Sequence, residues 1–404
     1  MSRSTQPRPS QVTAAGVASP ARLSPLASFL LMASITVTFL AGASAPTSLY
    51  PVYQSQWGFS SLTITVIFAV YALAVLAALL VLGRLSDHVG RRPVLLAAVV
   101  GQLVTMWLFA TADGLGTLLL ARTLQGVAAG AGIAAVGAGL LDIDRDRGAL
   151  TNAIITPLGT ATGGIVGGVF VSLLPAPSML VFAVLASLML LQGMALLWMG
   201  ETAQRRGGAV ASLRPQLALS AEVRGPLLRA VPIIIAGWAV AGFFTALGPA
   251  FVKAMTGENS ALLSGVTLFV MAGSAGVAAL LLRNQTPREA MHTGGAALAT
   301  GMIFVMAAVY LNQPLLFFAG LSASGVGFGS GFQGAVRSVV SQAHARERAG
   351  ALAVIFVIAY LAMGLPAIGA GILLVQGILL PNVANEFGVA IMALALLPLW
   401  LLRR

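Results

Sequence analysis

The 404-residue sequence contains no cysteine, three histidines and only eleven carboxylates. The first absence excludes disulfides and thiolate metal sites. Charged residues make up 8% of the chain against 58% hydrophobic, and the mean hydropathy is +0.95. A soluble domain carries about 25% charged residues, so this chain lacks the means to cover itself for water. There is no P-loop, and no polar stretch long enough to fold into a nucleotide-binding domain, which excludes ATP as the direct energy source. The alternating ten-residue strands of a membrane barrel are missing as well. The few acids and histidines supply neither a buried nucleophile with its base, nor paired intramembrane carboxylates, nor a metal cluster. No enzyme activity, metal or cofactor is expected.

What is present is a series of apolar runs, each near the roughly 20 residues that cross a hydrocarbon core. Read between Gly, Pro and charged punctuation, they place spans at 26–48, 62–83, 93–112, 115–140, 149–174 and 177–199. A second set follows at 229–251, 261–283, 292–311, 314–340, 349–376 and 381–402. The expected fold class is an all-α membrane protein of two six-helix bundles, 26–199 and 229–404. A polar linker at 200–228 joins them, and an acid-free, Pro/Ser-rich tail at 1–25 reads as disordered.

Lys and Arg are retained on the cytoplasmic side of short loops. With both termini placed inside, 20 of the 22 basic residues fall on that side; Lys253 lies near the outer end of span 7 and Arg122 inside span 4. The location expected is therefore the inner (plasma) membrane, multi-pass, with cytoplasmic termini. The net charge of +11 is scattered through these loops rather than gathered in a patch, so nucleic acid is not an expected partner. The expected partners are the lipid bilayer, a small-molecule substrate and, as the candidate coupling ion, protons, with the chain acting as a monomer.

The halves repeat weakly. GVAAGAG at 126–132 matches GVGFGSG at 325–331, and RDRGAL at 145–150 matches RERAGAL at 346–352. Parallel repeats relate two bundles by an axis along the membrane normal, with a central cavity between them that rocking opens to either side in turn.

Three motifs carry a resemblance. The loop between spans 2 and 3 reads GRLSDHVGRR (83–92), span 4 reads LLLARTLQGVAAG (118–130), and span 5 reads GTATGGIVGG (159–168). Together they resemble the major facilitator superfamily, drug/proton-antiporter type with twelve helices. The loop matches at Gly83, Leu85, Asp87, Gly90 and Arg91, with His88 where Arg is usual. The glycine pattern Gly159, Gly163, Gly164, Gly167, Gly168 has Gly164 in place of the family's proline. The resemblance implies that Asp87 and Arg91, with Arg147 and the Asp142 cluster, latch the bundles. A purely topological role for these charges is the alternative. It also implies a coupling or anion-contacting role for Arg122, with Gln125 one turn on; a structural tie to neighbouring carbonyls stands beside it. In the family, spans 1, 4, 7 and 10 line the path. Candidate lining residues are thus Ser324, Phe328, Phe332 and Gln333 in span 10 and Trp238, Phe243 and Phe244 in span 7. Tyr71 in span 2 and Tyr360 in span 11 join them, with lipid-facing packing as the alternative for each.

None of the eleven acids falls deep in a span. A bilayer-buried carboxylate is the simplest proton carrier, so its absence counts against easy proton coupling. A cavity with one Arg and no acid favours neutral or anionic compounds. The functional expectation is a secondary transporter exporting small organic molecules, drug-like or metabolite, by alternating access with proton antiport. The alternative is proton-independent or symport uptake of a small neutral or anionic metabolite.

Overall fold

The computed structural model describes residues 23–401 except 205, 216, 218, 259, 345 and 346. The expected tail, apart from residues 23–25, lies outside the described residues, as do Arg205, Arg346, Arg403 and Arg404. Among the described residues, twelve helices are long and apolar enough to cross a membrane. They are α1 Pro25–Ser44, α2 Ser61–Leu82, α3 Arg91–Ala110, α4 Leu115–Ile143, α5 Arg145–Leu173, α6 Pro177–Leu196, α7 Ala221–Thr256, α8 Ala261–Leu281, α9 Pro287–Leu311, α10 Pro314–Val340, α11 Arg348–Val375 and α12 Leu380–Leu401. No strand occurs among the described residues.

Local chemistry sets most boundaries. Ser24, Ser60 and Ser260 each accept a hydrogen bond from a first-turn backbone N–H, at Ala27, Thr63 and Leu263. Thr286 and Glu289 form a reciprocal capping box at the start of α9. Proline occupies the first turn of α1, α6, α9 and α10, where its missing N–H costs nothing. Left-handed residues stop two helices, Gly257 after α7 and Asn312 after α9.

Several boundaries differ from the sequence reading: α5 starts at Arg145, α7 ends at Thr256 and α9 starts at Pro287, each four or five residues beyond the expected span. Span 1 does not end at 48: after a 3₁₀ turn at Ala45–Leu49 the chain runs on as a short helix, Tyr50–Trp57. The segment 200–228 is not polar coil throughout, because α7 starts at Ala221 with Glu222 in its first turn and Pro226 and Pro232 inside it. The prolines break the apolar run in sequence without breaking the helix, since each removes only one ladder bond.

Each half has its own apolar core, one built on Phe39, Phe109 and Phe182 and the other on Phe243, Phe251 and Phe317. Lipid gives helices no hydrophobic reason to associate, so close backbone approach over small residues does that work. The halves meet along α5 against α8 and α2 against α11. A Cβ at Gly168 would lie 2.9 Å from Ala261 O, and one at Gly371 3.2 Å from Leu62 Cα. The α5–α8 junction runs on from there to Gly276, which lies against Pro157 and Leu158.

Candidate transport pathway and charge network

Arg122 is 1% exposed on α4. Its Nη1 donates to Ala43 O at 2.7 Å and Gln125 Oε1 at 2.8 Å, and its Nε donates to the Tyr50 hydroxyl at 3.0 Å, which Nη2 also reaches. The rings of Tyr50, Tyr71 and Phe109 surround the guanidinium at 5.4–5.6 Å from their centroids. Gln125 in turn donates from Nε2 to Gly42 O at 3.0 Å. The Arg122–Gln125 pair expected from the sequence forms. Tyr50, which no motif marked, supplies a key acceptor from the first residue of the short helix that follows the 3₁₀ turn.

From Arg122 an aromatic path leads into the second half. Tyr71 lies beneath the guanidinium, and Tyr360 packs on the cluster of Tyr71, Val75 and Ala129. Tyr360 lies 5.1 Å from Trp238, which meets Phe332 at 5.3 Å and Phe328 at 5.5 Å. Phe356, unmarked in the sequence, closes the group against Phe332 and Tyr360 at 6.3 Å. The Trp238 Nε1 proton is buried without an acceptor.

Three expected lining residues sit elsewhere. Phe243 stacks on Phe387 at 3.9 Å and Phe244 packs with Phe251 and Phe317, all inside the second half. At 100° per residue, five positions turn Phe243 about 140° from Trp238. Ser324 is fully buried against Gly301 of α9. Gln333 follows Phe332 and stays partly exposed.

At the arginine-rich end, Arg91 pairs with Asp87 and with Asp142 at 3.0 Å, and donates to Ser86 Oγ at 2.7 Å. Its backbone N–H donates to Glu201 Oε1 at 2.7 Å, a partner the sequence did not suggest. Gly90 is obligatory in this turn: its φ is +107°, and a Cβ there would collide with the Glu201 carboxylate. The Asp87 contact thus runs to Arg91 within the first half. Arg147 does not join the network. Its side chain is 81% exposed, 3.5 Å from Asp144, which caps α5 by accepting from Arg147 N.

The α5 glycines face two partners. Gly159, Gly163 and Gly167 lie against Val37–Leu40, Ala41–Ser44 and Ala45 of the first half. Gly164 and Gly168 lie against α8 of the second, where a Cβ at Gly164 would be 2.8 Å from Leu268 Cβ and 3.0 Å from Gly265 O. A proline ring has no room at 164.

The Major Facilitator Superfamily model matches residues 30–370. The chain belongs to the major facilitator superfamily. This superfamily member is 33% identical over 154 residues to the tetracycline resistance protein, class C, of Escherichia coli, a match covering 37% of the chain and 39% of that protein. It is 34% identical over 104 residues to the major facilitator-type transporter psiT2 of Psilocybe cubensis, covering 25% of the chain and 20% of that protein. Each match thus spans well under two thirds of the relative. Among solved structures, the nucleoside transporter NupG aligns over 92% of the chain and 99% of its own, at TM-score 0.71 and 13% identity. The human organic anion transporter MFSD10 aligns over 93% and 99%, at 0.64 and 16%. At these identities the likeness establishes the shared fold, two six-helix bundles around a central path.

Proposed function

We propose that this transporter exports small, flat organic molecules that are neutral or anionic, taking them up at the arginine-rich, cytoplasmic end and releasing them outside by alternating access. The observation that carries the reading is the continuous line Arg122, Tyr71, Tyr360, Trp238, Phe328 and Phe332, which crosses from one half to the other. Aromatic faces and edges select planar π systems. The unpartnered Trp238 Nε1 offers a donor to a substrate acceptor. None of the eleven carboxylates is buried, so the path has no counter-charge for a cation. The similarity to a tetracycline resistance protein supports the export direction.

Reconstituted transport of a matched set of neutral, anionic and cationic aromatics tests this. Neutral and anionic members are expected to move, and Trp238→Ala or Tyr360→Ala to weaken apparent affinity by about tenfold, the effect of losing one good aromatic contact. Selective handling of lipophilic cations overturns the reading.

The coupling ion has two readings. The resemblance favours protons; the lack of a buried carboxylate favours transport driven by the substrate gradient alone. An inward proton gradient imposed on proteoliposomes separates them, because antiport must accelerate export and uncoupled transport must ignore it.

A further inference from the structure

Arg122 and Gln125 hold the chain on both sides of one turn. Helix α1 gives way to the 3₁₀ turn Ala45–Leu49 at Pro46, which has no N–H to offer Gly42 O. That freed carbonyl accepts from Gln125 Nε2 at 3.0 Å, and the next one, Ala43 O, accepts from Arg122 Nη1 at 2.7 Å. On the far side of the turn, the Tyr50 hydroxyl accepts from Arg122 Nε at 3.0 Å. The pair on α4 thus bonds residues 42, 43 and 50, and fixes both ends of the turn between them.

The turn itself reaches the seam between the halves. All its residues are buried, and it packs against α5 of its own half and α8 of the other. Ser48 Oγ donates to Gly164 O at 3.3 Å, and a Cβ at Gly167 would lie 2.6 Å from Ala45 O. From the other half, a Cβ at Gly265 of α8 would strike that same Gly164 carbonyl. The turn, α5 and α8 therefore meet at one backbone oxygen, so the seating of the turn bears on whether α5 and α8 stay together.

We propose that Tyr50 is a positioning residue for transport: its bond to Arg122 keeps the 45–49 turn seated on Gly164, and loss of that bond lets α5 part from α8. This role rests on the alternating-access reading and is independent of the substrate class. Tyr50 acts through the turn, so its effect is on the balance between conformations. A hydroxyl that only satisfied the Arg122 charge would change stability alone.

Labelling of a cysteine introduced at Leu268, with a membrane-permeant maleimide on the otherwise cysteine-free full-length protein in proteoliposomes, reads the seam. Tyr50→Phe, which keeps the ring, is expected to speed labelling about fivefold, the population shift of one lost hydrogen bond to a charged group. Ser48→Ala cuts the link at its other end and is expected to do the same, with the double variant labelling no faster than the faster single one. Tyr53→Phe is the control. Its hydroxyl is buried without a partner on the same short helix, so labelling at the wild-type rate is expected. A folded Tyr50→Phe or Ser48→Ala protein that labels at the wild-type rate overturns the role, even where its melting midpoint falls. Additive effects in the double variant overturn it too, as does Tyr53→Phe labelling as fast as Tyr50→Phe. If Tyr50→Phe does not fold, Ser48→Ala decides alone. Alternating access is read separately: a disulfide between cysteines introduced at 168 and 262 that leaves transport intact removes that reading, whatever the labelling rates.

Discussion

A guanidinium only 1% exposed inside a helical bundle has to be met from within the chain, and Arg122 is met by Tyr50, Ala43 O and Gln125 rather than by an acid. Its charge is spread over neutral acceptors and three aromatic faces. Arg122→Ala strands the Gln125 Oε1 and the Tyr50 hydroxyl and is expected to cost about 2–4 kcal/mol in stability. If Arg122 serves coupling or binding, transport falls at least about tenfold, since each 1.4 kcal/mol of lost interaction is one decade. Arg122→Lys, assayed beside it, keeps the charge and is expected to retain part of the activity. Asp142→Asn removes one of the two carboxylates on Arg91 and is expected to change turnover more than apparent affinity, because the network lies far from the aromatic path. Steady-state export kinetics read that split. The sequence showed Arg122 and Gln125 as neighbours because helical spacing is rigid. It could not show Tyr50 or Glu201, which arrive through turns whose course depends on tertiary packing.

At the scale of elements, α5 packs between the two halves, with one glycine face on α1 and another on α8. Such contacts depend on missing side chains. Gly163→Val pushes into the Ala41 carbonyl and Ser44 within one half, and is expected to lower stability by about 1–3 kcal/mol, measured as a fall in melting midpoint. Gly164→Val acts between halves instead. It is expected to leave the melting midpoint closer to wild type and to favour separation of α5 from α8, readable as greater labelling of a cysteine introduced at Leu268 in this otherwise cysteine-free chain. The glycine spacing was legible in the sequence, and so was the division into two faces. Which partner each face meets was not, because spacing fixes relative angles around a helix and says nothing of its neighbours. The same ambiguity put Phe243 and Phe244 on the path. Their apolar, aromatic character suits a cavity and a core equally, and the rotation of α7 sends them to Phe387, Phe251 and Phe317.

In the whole molecule, glycine-lined contacts join the halves along α5–α8 and α2–α11, while the charge networks around Arg91 and Arg337 each stay within one half. The alternating access proposed above has to break the α5–α8 and α2–α11 junctions. A cross-link between residues 168 and 262, introduced as a cysteine pair, is expected to stop transport and to recover it on reduction, measured in proteoliposomes.

The sequence by itself determined the number of spans, the two-half repeat and the sites where backbones touch, because hydrophobic length, periodicity and the absence of side chains are local properties. It also determined that no acid would be buried, since that is a matter of inventory. Only the tertiary structure decided which aromatics form the line from Arg122 to Phe332 and that Asp87 bonds within its own half. Each of these depends on how helices are rotated and which ends are brought together, and that follows from packing of all twelve helices at once.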